Sequence, residues 1–139
     1  WIVFDRDKVK DFDEIIKEAE SYGIRTGWSN PCFEIWLYSY YGTMPAIMES
    51  WVCCSEFEKI FQRKTGQRYS KSDIGMYEKI FRTGSEEKAF QIARQKYEQC
   101  IREGKTVPSQ MIPCTTVYQL VEEKKKKAGM EKKDCVRKK

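Results

Sequence analysis

Asp5 and Asp7 stand two residues apart at the end of a short apolar run, Ile2-Val3-Phe4. On a strand, residues i and i+2 point to the same side, with Cα atoms about 6.6 Å apart. Two carboxylates at the carboxyl end of a parallel strand lie where open α/β sheets place ligands. Unpaired, they repel, and a hard divalent cation such as Mg²⁺ or Mn²⁺ offsets both charges with oxygen ligands. The same spacing also suits ordinary polar strand-end residues, one of them capping the next helix. A second candidate is Ser29-Asn30-Pro31-Cys32-Phe33-Glu34, which runs on into Ile35-Trp36-Leu37. Glu34 interrupts apolar material, and a carboxylate beside buried surface needs a partner or a metal. Asn30 ahead of Pro31 reads as a helix cap with proline at the first helical position, offering free N–H groups to a phosphate. The alternative is an amphipathic helix with Glu34 facing solvent. Lys71, after Tyr69-Ser70, is a further candidate for a phosphate contact, or one member of a solvated basic face.

Composition narrows the chemistry. The 139 residues include no His, so imidazole is excluded as base, metal ligand or pH switch. The cysteines, Cys32, Cys53, Cys54, Cys100, Cys114 and Cys135, form no CxxC pair, which argues against a zinc site or a thiol nucleophile. With no secretory signal visible, they read as reduced thiols of a cytoplasmic protein. No apolar run is long enough to span a membrane. The hydrophobic share of 40% suffices for one packed core. The net charge of +5 is uneven: residues 1–58 carry −6, residues 59–105 carry +6, and residues 121–139 carry +5.

The elements that must position these residues can be read from periodicity. Ile2-Val3-Phe4 reads as a buried strand. Phe12, Ile15, Ile16 and Ala19 repeat at helical spacing, and Gly23 closes that helix. Ile24 to Trp28 reads as a second strand, giving a βαβ unit with parallel strands. Helices follow over about 33–41, 49–64, 72–82 (capped by Ser72 or Asp73) and 86–103. Thr115 or Thr116 opens a last one. Two strands make no stable sheet alone, so partners are expected ahead of Trp1. Residues 1–125 read as one α/β domain with a mainly helical C-terminal part, and 126–139 as a basic, disordered tail.

Four strings together, Trp1-Ile-Val-Phe-Asp5-Arg6-Asp7, Ser29-Asn30-Pro31-Cys32-Phe33-Glu34-Ile35-Trp36-Leu37, Tyr69-Ser70-Lys71 and Pro113-Cys-Thr115-Thr116-Val117-Tyr118-Gln119-Leu120-Val121, resemble the RloB-like family over about 1–125. The resemblance implies a Toprim-like α/β fold, here lacking its N-terminal strands, and a restriction or phage-defence context with an ATPase encoded nearby. It implies Asp5 and Asp7 as Mg²⁺ ligands and Glu34 as a further site carboxylate. It also implies a nucleic-acid substrate. Two departures stand out: the early strand with its Glu would precede Trp1, and Tyr118 occupies a position where the family often has His.

The leading functional reading is therefore a metal-dependent nuclease domain, with Asn30 and Lys71 as phosphate contacts. A HAD-type phosphatase fits poorly, because Lys8-Val9-Lys10 follows Asp7 and no later Asp-Asp pair supplies a metal site. The non-enzyme alternative is an adaptor or sensor that docks an ATPase partner through the helical part.

Overall fold

The computed structural model describes residues 1–137, with side chains through residue 130. Strand β1 (Ile2–Asp5), helix α1 (Phe12–Ser21) and strand β2 (Thr26–Asn30) form the expected βαβ unit. The strands are parallel, with Ile2 opposite Thr26 and Asp5 opposite Ser29. α1 buries Phe12, Ile16 and Ala19, whereas Ile15 faces out. Gly23, at φ +73°, turns the chain, and the Ile24 N–H returns to the Ala19 carbonyl. That bond holds Ile24 in the turn, so β2 starts two residues later than the apolar pattern suggests.

β2, Thr-Gly-Trp-Ser-Asn, is buried at every position. It lies between β1 and a two-residue strand, β3 (Cys114–Thr115), which pairs antiparallel with it. Thr115 and Thr116 do stand at the opening of the last helix, where Thr115 Oγ1 accepts from the Val117 N–H, and they also join the sheet, which the pattern does not predict. The two threonines bind β2: Thr115 Oγ1 donates to the Trp28 carbonyl and meets Ser29 Oγ, while Thr116 Oγ1 accepts from the Trp28 N–H. Helix α6 (Val117–Arg137) begins only after them. The basic segment from 126 continues that helix as far as Arg137, and residues 138–139 lie outside the described residues. The neighbour that β2 needs thus comes from later in the chain, and β1 forms an edge with Ile2 and Val3 exposed.

Asn30 does not cap a helix. It ends β2, its bond to Pro31 is cis, and helix α2 (Glu34–Ser39) starts farther on with Phe33 at the cap. The Asn30 side chain is aimed at the 108–111 turn, away from the helix end, and Oδ1 accepts from no helix N–H. Nδ2 donates to the carbonyls of Met111 at 3.0 Å, Pro108 at 3.2 Å and Ser109 at 3.4 Å. Arg6 donates to the same Ser109 carbonyl at 2.8 Å, and the Asp13 carboxylate accepts from the Ser109 N–H at 2.8 Å. The turn around Pro108–Gln110, a short 3-10 segment, is therefore tied to the ends of both parallel strands and to α1.

The helical part packs around α2, whose six residues are all buried. Helix α3 (Ser50–Thr65) stops at Gly66, φ +70°. Helix α4 (Met76–Thr83) starts later than Ser72 or Asp73, because the Asp73 carboxylate accepts from the Gly75 N–H and pairs with Lys79. Helix α5 (Glu86–Arg102) is capped by Ser85, which accepts from the Lys88 N–H. Trp36, Tyr40, Phe57, Phe61, Ile80 and Ala89 form the main core, and Phe12, Ile16, Trp28, Cys100 and Met111 a second beside the sheet. The chain is thus a mixed α/β fold with one parallel strand pair. Among the described residues, no helix is long and apolar enough to cross a membrane.

Removing the Asn30 amide takes the donor from the Met111 carbonyl, while the Pro108 and Ser109 carbonyls keep the Met111 N–H and Arg6. Asn30→Ala is expected to lower unfolding stability by about 1–3 kcal/mol in urea titration. An unchanged denaturation midpoint contradicts this account of the turn.

Candidate active site

Asp5 is the last residue of β1 and half-buried, and its Oδ2 accepts from the Phe33 N–H at 3.2 Å. One carboxylate oxygen thus serves as the cap that α2 lacks from its own sequence. Two residues on, Asp7 is exposed and sits at φ +34°, in the left-handed region. Among non-glycine residues Asp tolerates that region better than most, at a cost of roughly 1–3 kcal/mol. The conformation is held by the Asp7 N–H, which donates to the Pro31 carbonyl at 2.9 Å, and by the Arg6 N–H, which donates to Ser29. Parallel pairing thus runs past the end of β1 and turns Asp7 into an open groove of about 690 Å³. Arg6, Lys8, Lys10, Met48 and Trp51 also line that groove.

Glu34 is 1% exposed on the buried helix α2. Its Oε1 accepts from the Tyr69 hydroxyl at 3.0 Å and from Lys71 Nζ at 2.9 Å. Its Oε2 is buried without a hydrogen-bond partner. Burial raises the carboxyl pKa, but the hydrogen bond from Lys71, a backbone N–H and the lysine charge more than offset it, leaving Glu34 ionised below the usual range. The pair also holds the Lys71 ammonium above its ordinary value. Lys71 is thus committed to Glu34 through one contact, although its side chain is 67% exposed.

The spacing of the donors divides the five candidate residues. Among the described residues, the set of three metal-ligating side chains with ligand atoms within 4.8 Å of one another is Cys32, Glu34 and Cys54. Asp5, Asp7 and Glu34 therefore do not close into one tight oxygen cluster. The structure brings Asp5 and Asp7 to one strand end, and sets Glu34 behind them on α2. Asn30 is buried under the groove, its amide nitrogen bound to the 108–111 turn and its Oδ1 without a partner. The sulfurs of Cys32 and Cys54, 4.0 Å apart, come from α3 meeting the start of α2, a proximity that spacing in sequence does not show. Burial pushes the Cys54 thiol up to about 12, and Cys32 is raised as well by its hydrogen bond to Cys53 and by burial, so both stay protonated.

Charge is also distributed differently from what segment totals suggest. Of the basic residues in 59–105, Lys59, Lys71, Lys79, Arg82, Arg94 and Lys105 all pair with carboxylates. Arg6, Lys8 and Lys10 belong to the acidic segment, yet they line the groove beside Asp7. The loop that carries Lys8 and Lys10 has no periodic signal, and Trp51 sits on another element, at the start of α3, so sequence alone does not bring them together. Tyr118 is buried next to Gln119 and takes no part in the groove.

The Glu34–Lys71 pair makes a testable statement about pH. A carboxyl whose folded pKa is depressed stabilises the fold above its unfolded value, about 4.3, and that contribution is lost as pH falls through the folded value. In Lys71→Met burial is opposed only by the hydrogen bonds from a backbone N–H and Cys32, so the carboxyl pKa rises from its value in the parent. The variant is expected to be less stable than the parent by about 1–3 kcal/mol at neutral pH. The difference should narrow as the pH approaches about 4 in thermal melts, as the orphaned carboxyl protonates. A gap independent of pH contradicts the assignment.

Residues 1–123 match the family described as RloB-like protein, which covers both strands of the parallel pair, Glu34, Lys71 and the strand-forming threonines. No curated protein and no solved structure matches the chain. With a match that takes in all but the last turns of α6, the chain belongs to the RloB-like family.

Proposed function

We propose that this chain is a metal-dependent hydrolase of nucleic-acid phosphodiesters, built on a Toprim-like core and working in a phage-defence system. The observation that carries the reading is the placement of Asp7. A residue held in a costly left-handed conformation, two positions after a second carboxylate on a parallel strand end, faces a groove lined by Arg6, Lys8 and Lys10.

The donor set fits a hard divalent cation. Asp5 keeps one oxygen clear of its bond to Phe33, Asp7 is exposed, and Mg²⁺ or Mn²⁺ takes one or two carboxylates with water in its other positions. Such an ion supplies activation of water and stabilisation of charge on the scissile phosphate. The chain's own residues do the remaining work. Asp5 and Asp7 hold the ion. The basic side chains of the groove attract the phosphodiester. Glu34, kept ionised by Lys71, offers its unpartnered oxygen to a water or second ion, and the exposed end of Lys71 has further N–H donors for a phosphate.

The docking alternative draws on one feature, the exposed apolar side chains Ile74, Tyr77 and Phe81 at α4. A stable complex with an ATPase partner that is indifferent to Asp7→Asn, in a chain without cleavage, favours that reading.

Cleavage of plasmid, single-stranded DNA and tRNA with Mg²⁺ or Mn²⁺ tests the proposal. Asp7→Asn and Asp5→Asn are expected to reduce cleavage by at least about a hundredfold, since even indirect supports of a metal contribute ten- to a hundredfold. The asparagine at position 5 still has an oxygen for the Phe33 N–H, so the fold is kept. Undiminished cleavage in both variants sinks the assignment.

A further inference from the structure

Trp51 is 73% exposed at the start of α3, and Met48 beside it in sequence is 68% exposed. Both line the groove that receives Asp7. The other tryptophans are accounted for: Trp28 and Trp36 are buried, and the Arg25 guanidinium lies 4.2 Å over the ring of Trp1. Trp51 pairs with no other aromatic ring among the described residues. A bare indole gives the fold little, because most of its surface stays in water.

Its neighbours in the groove identify what such a ring would meet. Lys8 and Lys10 are exposed on the same wall as Asp7, and Arg6 adds a third cation. Asp7 and Glu49 are the acids of that lining, so cations outnumber them. The first turn of α3 carries no side-chain cap, which leaves backbone N–H groups beside Trp51 for an anion. A flat aromatic face flanked by lysines and backbone donors recognises a base together with the phosphates on either side of it. A paired base has both faces stacked within the duplex, so the ring can reach only an unpaired one.

We infer that Trp51 is a base-stacking platform and that Lys8 and Lys10 hold the adjoining backbone, so that the groove takes single-stranded nucleic acid. This rests on the hydrolase reading for its purpose, but its binding chemistry does not require the metal. Trp51 is a specificity determinant here, in contact with substrate away from the reacting phosphate.

Binding is measured in EDTA, so that cleavage plays no part. Oligo-dT and oligo-U distinguish DNA from RNA as the source of the single strand, and a blunt duplex is the comparison. Single strands are expected to quench the exposed tryptophan emission. Trp51→Ala should abolish that quench and weaken single-strand binding about ten- to a hundredfold, with duplex affinity little changed. Trp51→Phe should retain most of the affinity. Lys8→Gln with Lys10→Gln should lower the slope of log affinity against log salt by about 1.4. An exposed position leaves the thermal melt of the tryptophan variants unchanged, which separates lost binding from lost folding. Parental affinity in Trp51→Ala, or equal losses for duplex and single strand, overturns the inference. If Trp51→Ala loses the single strand while no metal supports cleavage, the groove reading stands and the hydrolase reading falls. Cleavage by the parent alongside unimpaired binding by Trp51→Ala overturns the groove reading alone.

Discussion

The structure depends on a strand that is buried but not apolar. β2 exposes none of its five residues, yet it carries Thr26, Ser29 and Asn30 along with its backbone donors and acceptors. A buried polar group without a partner is costly, so these atoms constrain their neighbours, Asn30 Oδ1 being the exception. β1 satisfies one backbone edge and the two threonines the other. The Asn30 amide gathers three carbonyls. Ser29 and Pro31 then take the N–H groups of Arg6 and Asp7, and through them aim both carboxylates. The candidate site is thus a by-product of satisfying the end of one strand.

The second charged feature obeys the same rule at higher stakes. Glu34 on a fully buried helix is tolerable only because Lys71 reaches in from the surface with a flexible stem and Tyr69 adds a neutral donor. The acid is thereby kept ionised a short way behind the strand end, where an uncharged residue would pack more easily. Removing Lys71 from such a pair leaves a buried charge uncompensated, which costs far more than the pair itself contributes.

How much of this was legible from the residues alone depended on the kind of signal. The βαβ unit was legible because Phe12, Ile16 and Ala19 follow the helical period and Ile2-Val3-Phe4 does not. Asp5, Asp7 and Glu34 were legible because charges stand out against apolar runs. β3 is hidden: two residues make no period, and Thr115 and the adjoining Thr116 act through hydroxyls that reach a strand more than eighty positions away. α4 starts later than its pattern predicts because Asp73 makes a turn with Gly75 instead of capping a helix. Asn30-Pro31 carries a cap signature, but Asn30 ends β2 with its amide nitrogen aimed at the 108–111 turn, and α2 starts farther on. The groove lysines and Trp51 belong to different elements, and only the fold makes them neighbours.

The turn at Ser109 also bears on how the molecule acquires its shape. Ser109 is gripped by Asp13 and Arg6, which precede it by 96 and 103 residues. Closing so large a loop is entropically slow, and contacts of that separation form late in folding. The strand pair and the helical core can assemble from nearer contacts, but the wall opposite Asp7 is completed only when the chain returns to its own beginning. A partly folded molecule, or one emerging from the ribosome, has its carboxylates and lysines without the turn that shapes them into a groove. Any activity of the groove is in this way reserved for the fully closed chain.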